Sequence, residues 1–270
     1  MFEWNVNPEI LHIGFFSLRW YSLLFMSAFI VGIYIFRWIY RREGRPVEDI
    51  DQLLIYMLIG TVVGARLGHC LFYDPVYYLT NPLEILMVWK GGLASHGAAI
   101  GILIALYYYS KNHPDQPYMW LVDRIVITVA LAGFFIRMGN FFNSEIIGKP
   151  TDLPWAVILK RIDNIPRHPT QIYEALAYLI IFFILLSIYK KKGAQTKRGE
   201  LLGLFLILVF GFRFFVEFLK ETQSAFEQGL PLDMGQILSI PAVVAGFYLY
   251  IKRKEPLPVP PPKKKKKEKK

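Results

Sequence analysis

The densest group of polar residues in this hydrophobic chain lies in the stretch RMGNFFNSEIIG. Arg137 and Asn140 are three residues apart, so they share one face of a helix, and three polar or small residues follow them: Asn143, Glu145 and Gly148. The planar guanidinium group of an arginine can hold a phosphate diester through paired hydrogen bonds. An arginine that merely reaches the membrane interface needs no asparagines or glutamate beside it. The stretch therefore favours an anion-binding site.

A second arginine of interest lies in FRFFVEFLK, residues 212–220. Arg213 and Glu217 are four residues apart and can form an ion pair within one helix, which would neutralise both charges. That pairing would by itself account for the two residues. With Arg137 at a similar depth, however, Arg213 can supply the other half of a cation clamp around a phosphate group.

A candidate general base, His96, lies between glycines in WKGGLASHGAAIG, residues 89–101. A neutral imidazole accepts a thiol or hydroxyl proton near neutral pH, and the glycines would allow a substrate to approach closely. Capping of a helix is the alternative role. In GARLGH, Arg66 and His69 share a helical face between glycines, for which close helix packing is an equally good account.

Two further polar stretches are typical of helix starts. In RHPTQIYE, residues 167–174, His168 precedes a proline, and in DMGQILSIP, residues 233–241, Asp233 is placed to cap a helix. Both stretches are interpreted mainly as scaffold. Three histidines at a similar depth could suggest zinc, but no HExxH motif or close pair of ligands is present. The sequence therefore predicts neither a metal nor a cofactor.

Hydrophobic segments must position these residues. The chain of 270 residues is 54% hydrophobic and only 19% charged, with a mean hydropathy of +0.34, which is typical of a membrane protein. Its apolar residues form blocks long enough to cross a bilayer as helices. We expect an all-α integral membrane protein with seven transmembrane helices, at residues 18–39, 50–72, 93–110, 120–137, 172–190, 200–219 and 235–251.

Basic residues follow the first, fifth and seventh blocks, which predicts an external N-terminus and a cytoplasmic C-terminus. Several basic residues in the connection 138–171 argue weakly against this orientation. With it, the polar residues of all seven blocks gather at the outer ends, among them Tyr21 at the start of the first. A polar cavity open to lipid explains such a gathering better than scattered structural pairs. We expect one catalytic domain over residues 1–251.

The net charge of +10 does not indicate a nucleic-acid partner, because ten of the 31 basic residues lie in residues 252–270. This proline- and lysine-rich tail is interpreted as a disordered cytoplasmic segment near anionic lipid headgroups. The single cysteine, Cys70, excludes a disulfide within the chain.

The motifs resemble those of the prolipoprotein diacylglyceryl transferase family over about residues 10 to 250. They occur in the family's order between the predicted spans: GARLG, GGLASHG, RMGNFFNSE followed by IIG, RHPTQIYE, VEF and DMGQILSIP. The resemblance implies an enzyme of the bacterial inner membrane, with its active site towards the periplasm. Such an enzyme moves the diacylglyceryl group of phosphatidylglycerol to the lipobox cysteine of a prolipoprotein.

The resemblance also implies which residues act. Arg137 corresponds to the arginine that binds phosphatidylglycerol, and functional roles follow for six others: Tyr21, His96, Asn140, Glu145, Arg213 and Glu217. From residue chemistry we expect His96, Arg137 and Arg213 to act in catalysis. The remaining candidates would bind substrate, with Glu145 and Glu217 fixing the arginines: Tyr21, Arg66, Asn140, Asn143, Glu145, Gly148 and Glu217.

Two departures from the family pattern are visible. The family's signature is the stretch R-x-G-N-F-x-N-x-E, here RMGNFFNSE. Ser144 stands where this signature often has glycine. Lys220 and Glu221 follow VEFL, where an arginine and then a proline are expected. The second departure puts specific contacts from that loop in doubt, but not the reaction.

Other classes of membrane protein fit the pattern less well. A transporter or lipid flippase should place polar residues near the midplane and on both sides, whereas the middles of these blocks are almost wholly apolar. A structural scaffold needs no cluster of converging polar groups. A membrane protease would need a nucleophile or metal motif, and neither GxSxG nor HExxH occurs.

Overall fold

The computed structural model describes residues 1–14, 16–222 and 232–257. Seven of its helices, within these ranges, correspond to the seven predicted blocks. They are α1 (Trp20–Arg42), α2 (Asp49–Phe72), α5 (Ser95–Asn112), α6 (Tyr118–Asn143), α7 (Thr170–Lys192), α8 (Glu200–Val216) and α9 (Met234–Ile251). Two short helices, α3 (Pro75–Thr80) and α4 (Pro82–Ile85), lie between α2 and α5. The tail beyond Leu257 falls outside the described residues.

Among the described residues, six of these helices are long and apolar enough to cross a membrane: α1, α2, α6, α7, α8 and α9. A multi-spanning membrane protein is thereby confirmed. The predicted third span corresponds to α5, which is helical but is not among the six. Three successive tyrosines and Lys111 near its end lower its hydropathy below that of a typical span.

Several helix boundaries differ from the predicted ones. A short hairpin of β2 (Glu9–Ile13) and β3 (Phe16–Arg19) runs directly into α1, so the first helix begins at Trp20 and not at residue 18. The helix α6 continues beyond residue 137 as far as Asn143. Asn140 and Asn143 therefore lie on the last turns of a helix.

The described residues form two compact units, one of Met1–Ile35 with Asp123–Leu257 and the other of Phe36–Val122. In the second unit, α2 packs against α5 through glycines. A Cβ atom added to Gly68 would lie 2.6 Å from the Cα of Gly97, and one added to Gly64 would lie 2.8 Å from the Cα of Gly101. Only glycine allows two helix backbones to approach so closely. Close packing is therefore the role of the glycines in GARLGH.

In the first unit, a small sheet holds the end of α6. The parallel pair of β1 (Phe2–Trp4) and β4 (Val157–Leu159) is extended by β5 (Pro166–Arg167). The Trp4 ring lies 4.5 Å from that of Phe141 between centroids, over buried side chains of β4. Strands this short carry no alternating pattern, and the prediction of an all-α chain missed them.

Asp123 illustrates a charge whose role depends on tertiary structure. Its sequence position near a predicted inner helix end suggests an ordinary flanking charge, but the side chain is buried. Its carboxylate accepts hydrogen bonds from the backbone amides of Gly199, at 2.7 Å, and Leu202, at 3.0 Å. These amides have no partners within the first turn of α8, so Asp123 caps that helix from another one.

Candidate functional site

The predicted anion-binding arginine, Arg137, lies on α6 against a carboxylate of α7. Its Nε atom is 3.1 Å from Oε2 of Glu174, whose side chain is fully buried, while the Arg137 side chain is 11% exposed. Removing two charges from water is costly unless they are paired. Arg137 is therefore held beneath the protein surface with its counter-ion, rather than extended to an interface.

Lys220 joins this pair from the segment after α8. Its Nζ atom lies 3.1 Å from Oε2 of Glu174 and 2.9 Å from Oε2 of Glu217, and its side chain is 3% exposed. The residue that departs from the family pattern thus supplies a buried cation here. Glu217 itself is packed against the start of α9, because a Cβ atom on Gly235 would lie 2.5 Å from its carboxylate.

Arg213, near the end of α8, is the third cation of the group. Its Nε atom is buried and has no hydrogen-bond partner among the residues that the structure describes. Both Arg213 and Arg137 interact electrostatically with Tyr178, whose hydroxyl group donates a hydrogen bond of 3.2 Å to Oε1 of Glu174. We call the set of five charged side chains the charge cluster: Arg137, Arg213, Lys220, Glu174 and Glu217. Counted by formal charge, its three cations and two carboxylates give the charge cluster one excess positive charge.

Next to the charge cluster, the last turn of α6 forms a second polar group. Asn140 and Asn143 each donate a hydrogen bond of 3.0 Å from Nδ2 to the carboxylate of Glu145. The Oδ1 atoms of both asparagines are buried, and no described residue forms a hydrogen bond with either of them. Since a buried acceptor without a partner is unfavourable, these two oxygens are places where a ligand hydroxyl group could donate.

The chain reverses sharply after this turn. Ser144 and Ile146 have φ angles of +56° and +54°, in the left-handed region that side chains rarely adopt. The start of α7 secures the reversal, because Gln171 Nε2 donates to the carbonyl oxygen of Glu145 at 2.6 Å and Thr170 Oγ1 to that of Ile146 at 3.2 Å. The polar residues of RHPTQIYE thus hold the signature turn in addition to starting a helix.

Gly148 follows the reversal at a place where two backbones meet. A Cβ atom there would overlap the carbonyl oxygen of His168. The carbonyl oxygen of Gly148 accepts a hydrogen bond of 3.1 Å from Arg167, and Gly148 also forms a β-bridge with Lys220. The structure therefore describes close backbone contacts for this glycine, while its predicted contact with substrate stays a prediction.

Tyr21, in the first turn of α1, faces the same end of α6. Its ring packs over Gly139, where an added Cβ atom would lie 2.7 Å from Cδ2 of the tyrosine. The hydroxyl group interacts electrostatically with Glu145 and Arg137. The glycine in the signature thus makes room for Tyr21 beside the predicted anion site.

An open polar groove of about 260 Å³ lies beside the signature turn. Asn143 and Glu145 line one side of it, and residues of the N-terminal segment and the loop line the rest: Asn7, Pro8, Glu9, Arg19 and Arg161. Arg19 pairs with Glu9 at 3.1 Å. The groove gives the exposed edge of Glu145 access to solvent and to polar ligands.

The other two predicted site residues belong to the second unit. His96 is exposed, and its ring lies 5.3 Å from that of Phe72 and 6.0 Å from that of Tyr73 between centroids. Arg66 is buried and donates hydrogen bonds to backbone carbonyl oxygens of the α4 region, including those of Glu84 at 2.5 Å and Gly91 at 2.6 Å. The structure thus describes Arg66 as a clamp on that loop.

The structure describes other close contacts for the two glutamates that were predicted to fix the arginines, and that prediction stays a prediction. Glu145 accepts hydrogen bonds from asparagines, and the ion pair of Glu217 is with Lys220, although Glu217 still acts electrostatically on Arg137. The carboxylate that holds Arg137 is that of Glu174. This residue ends the stretch RHPTQIYE, which was interpreted mainly as scaffold. Its four-residue spacing from Tyr178 on α7 could have indicated a polar face.

The predicted capping role of Asp233 is confirmed, since a capping box joins this residue to Gln236 at the start of α9. Across residues 1–14, 16–222 and 232–257, no group of three or more histidine, cysteine or carboxylate residues is arranged to hold a metal ion.

Taken together, apolar spans and a buried cluster of charged side chains define a membrane protein with a polar site among its helices. A model of the prolipoprotein diacylglyceryl transferase family matches residues 8–252. The chain belongs to this family.

Similar curated proteins agree with this assignment, and each carries the name phosphatidylglycerol–prolipoprotein diacylglyceryl transferase. The protein of Tolumonas auensis is 50% identical over 252 residues, which cover 93% of this chain and 97% of the relative. That of Chloroherpeton thalassium is 48% identical, with 91% and 92% covered. That of Bacteroides fragilis is 42% identical, with 93% and 96% covered.

Proposed function

We propose that this protein transfers the sn-1,2-diacylglyceryl group of phosphatidylglycerol to the lipobox cysteine of prolipoproteins, the first step of lipoprotein maturation. Family membership supports the reaction class, and the names of the similar proteins support both substrates. The observation in the structure that carries the proposal is the excess positive charge of the charge cluster. One phosphodiester, with one negative charge, would balance it.

In the reaction, the thiol sulfur attacks the glyceryl carbon that bears the phosphate ester. A carbon–sulfur bond forms, the carbon–oxygen bond to phosphate breaks, and glycerol 1-phosphate leaves with the electron pair. The thiol has an ordinary pKa near 8.5, so it must lose its proton before or during the attack. We assign this proton to His96, which is exposed and bordered by glycines.

Arg137 and Arg213 would hold the phosphodiester and stabilise the charge that develops on the departing phosphate. A preorganised donor in such a position typically lowers the barrier by about 3 kcal/mol. The Nε atom of Arg213, which has no hydrogen-bond partner among the described residues, supports this assignment. The buried Oδ1 atoms of Asn140 and Asn143 would accept hydrogen bonds from the glycerol hydroxyl groups, with Tyr21 orienting the headgroup beside them.

We further propose seven transmembrane helices, with α5 as the third, in a single catalytic domain over residues 1–251. The N-terminus would lie outside, and the active site would face the periplasmic side of the bacterial inner membrane. The basic residues that follow α1 and α7 support this orientation. Phosphatidylglycerol would enter sideways from the surrounding lipids, with no cofactor, since the lipid already carries its leaving group.

The test is transfer of labelled diacylglyceryl from phosphatidylglycerol to a lipobox peptide by the purified protein in detergent. We expect product from the unchanged protein with the cysteine peptide, and none with Arg137→Ala or with a peptide whose cysteine is serine. If His96→Gln kept near-normal turnover while Arg137→Ala lost it, His96 would not be the base. A folded protein that binds phosphatidylglycerol but forms no product would point to lipid transport.

A further inference from the structure

Four of the five charges of the charge cluster, all except that of Arg213, are arranged in an alternating order. Glu174 lies between Arg137 and Lys220, at 3.1 Å from each, and Lys220 lies between Glu174 and Glu217. Two of these residues, Glu174 and Lys220, have no part in the proposed reaction. Both are almost completely buried, so their charges need a physical explanation.

An exclusive pair of Arg137 and Glu174 would cancel both charges and leave little attraction for a phosphate group. The second cation changes this balance, because Lys220 shares the same carboxylate oxygen of Glu174. Glu217 in turn compensates Lys220. The sharing leaves positive potential at Arg137, while Glu174, Lys220 and Glu217 each keep an opposite charge beside them.

The atoms through which Arg137 and Glu174 contact each other also fix the orientation of the Arg137 guanidinium group. Glu174 contacts Arg137 through Nε, the inner edge of the guanidinium plane, and Tyr178 donates to the other oxygen of Glu174. A carboxylate held by two helices and a lysine cannot rotate freely. Glu174 therefore sets the plane of the Arg137 guanidinium group. Paired hydrogen bonds to a phosphate diester require such a fixed orientation.

We propose that Glu174 and Lys220 are positioning residues of the phosphate site: Glu174 orients Arg137, and Lys220 sets how much positive charge remains for the lipid headgroup. This inference rests on the proposed function. It assigns a role to a departure from the family pattern, since Lys220 supplies a positive charge at the sequence position where the pattern has arginine.

The two residues have opposite charges, so their removal has opposite effects on lipid binding. Glu174→Gln makes the site more positive, and we expect the Kd and KM for phosphatidylglycerol to fall while kcat falls at least about tenfold, because Arg137 loses its orientation. Lys220→Met makes the site more negative, and we expect Kd and KM to rise at least about fivefold.

Two combinations separate charge from packing. The double variant Glu174→Gln with Lys220→Met restores the net charge, so its KM should return to within about threefold of the unchanged value, although kcat stays low. Lys220→Arg keeps the cation, and we expect it to remove the rise in KM seen with Lys220→Met. A loss of folded protein alone would lower the amount of active enzyme without moving the KM of the remainder.

Glu200 offers a matched control. It is buried like Glu174, lies on α8, and pairs with Lys192 on α7, but it does not belong to the charge cluster. Glu200→Gln should lower the thermal midpoint without changing KM. The inference is overturned if Glu174→Gln and Lys220→Met shift KM in the same direction, if neither shifts it, or if Glu200→Gln shifts it equally.

Binding is measured with fluorescent phosphatidylglycerol in nanodiscs of phosphatidylcholine, separately from transfer to the lipobox peptide. Absence of transfer by the unchanged protein would contradict the proposed function, while opposite Kd shifts in the two variants would still support the charge balance. Transfer by the unchanged protein together with equal Kd values in all variants would leave the function standing and overturn this inference.

Discussion

Ser144 carries a side chain at a backbone angle that suits glycine. Its φ of +56° lies in the left-handed region, and its hydroxyl group is buried with no hydrogen-bond partner in the described part of the chain. A residue other than glycine in this region costs about 1 kcal/mol or more. The glycine that often occupies this position in the family thus has a physical reason, which the sequence alone did not reveal.

We therefore expect Ser144→Gly to stabilise the protein by about 1 kcal/mol, which corresponds to a rise of about 2–4 °C in the thermal midpoint. Ser144→Ala is the matched control, since it removes the hydroxyl group but keeps the Cβ atom that causes the strain. Thermal unfolding of the three proteins in the same detergent measures the difference. Equal midpoints for Gly and Ala variants would show that backbone strain is not the cause.

At the scale of elements, glycines decide how α2 and α5 pack. Because lipid tails are as apolar as leucine, helices in a bilayer gain most from close contact of their backbones. The glycines of α2 recur every four residues and meet those of α5. This spacing, visible in the sequence, has its explanation in a partner helix some thirty residues away.

Gly64→Val should lower the thermal midpoint by roughly 5 °C or more, because a side chain there would press against the backbone of α5. Leu67→Ala serves as a control on the same helix, as its side chain is 41% exposed and faces away from such a contact. We expect Leu67→Ala to change the midpoint by less than about 2 °C. A midpoint for Gly64→Val within that range would contradict the packing argument.

The loop between α6 and α7 is held by Arg167, which lies outside the spans. It pairs with Asp163 and with Glu221, each at 2.6 Å. Hydrogen bonding from Arg167 lowers the pKa of Asp163 below its ordinary value of 3.8. Since the folded-state pKa is the lower one, the pair adds stability above about pH 4 and loses it as pH falls through that pKa.

Asp163→Asn should therefore lower the thermal midpoint at pH 7 and make it less sensitive to acid between about pH 4 and pH 2. The midpoint is measured at several pH values for the variant, the unchanged protein and Asp152→Asn, whose aspartate is exposed in the same loop. A variant whose midpoint falls with pH as steeply as that of the unchanged protein would exclude the Asp163 pair as the source.

For the whole molecule, the distribution of charge bears on orientation. The basic residues of the connection 138–171 argued against an external loop, but Arg167 is neutralised by two carboxylates and Lys160 pairs with Glu3 at 2.9 Å. Carboxylates contribute little to orientation, however, and long loops translocate largely regardless of their charge, so this long connection is compatible with the proposed orientation.

The orientation predicts which engineered cysteines a membrane-impermeant maleimide can reach in spheroplasts. Asn164→Cys, in the exposed loop, should react in intact spheroplasts, whereas Lys252→Cys, after α9, should react only after permeabilisation. The unchanged protein is the control, because its Cys70 is fully buried. Labelling of Lys252→Cys in intact spheroplasts would reverse the proposed orientation.

The sequence by itself determined the class of protein, the seven helical blocks and the polar motifs, because apolar length and residue type are local properties. It also placed Arg137 and Arg213 among the candidates. Only the tertiary structure decided which charges meet. Glu174 pairs with Arg137, Lys220 bridges two carboxylates, and Arg66 clamps a loop. Such pairings depend on how distant helices pack, and spacing along one chain records only neighbours within a helix.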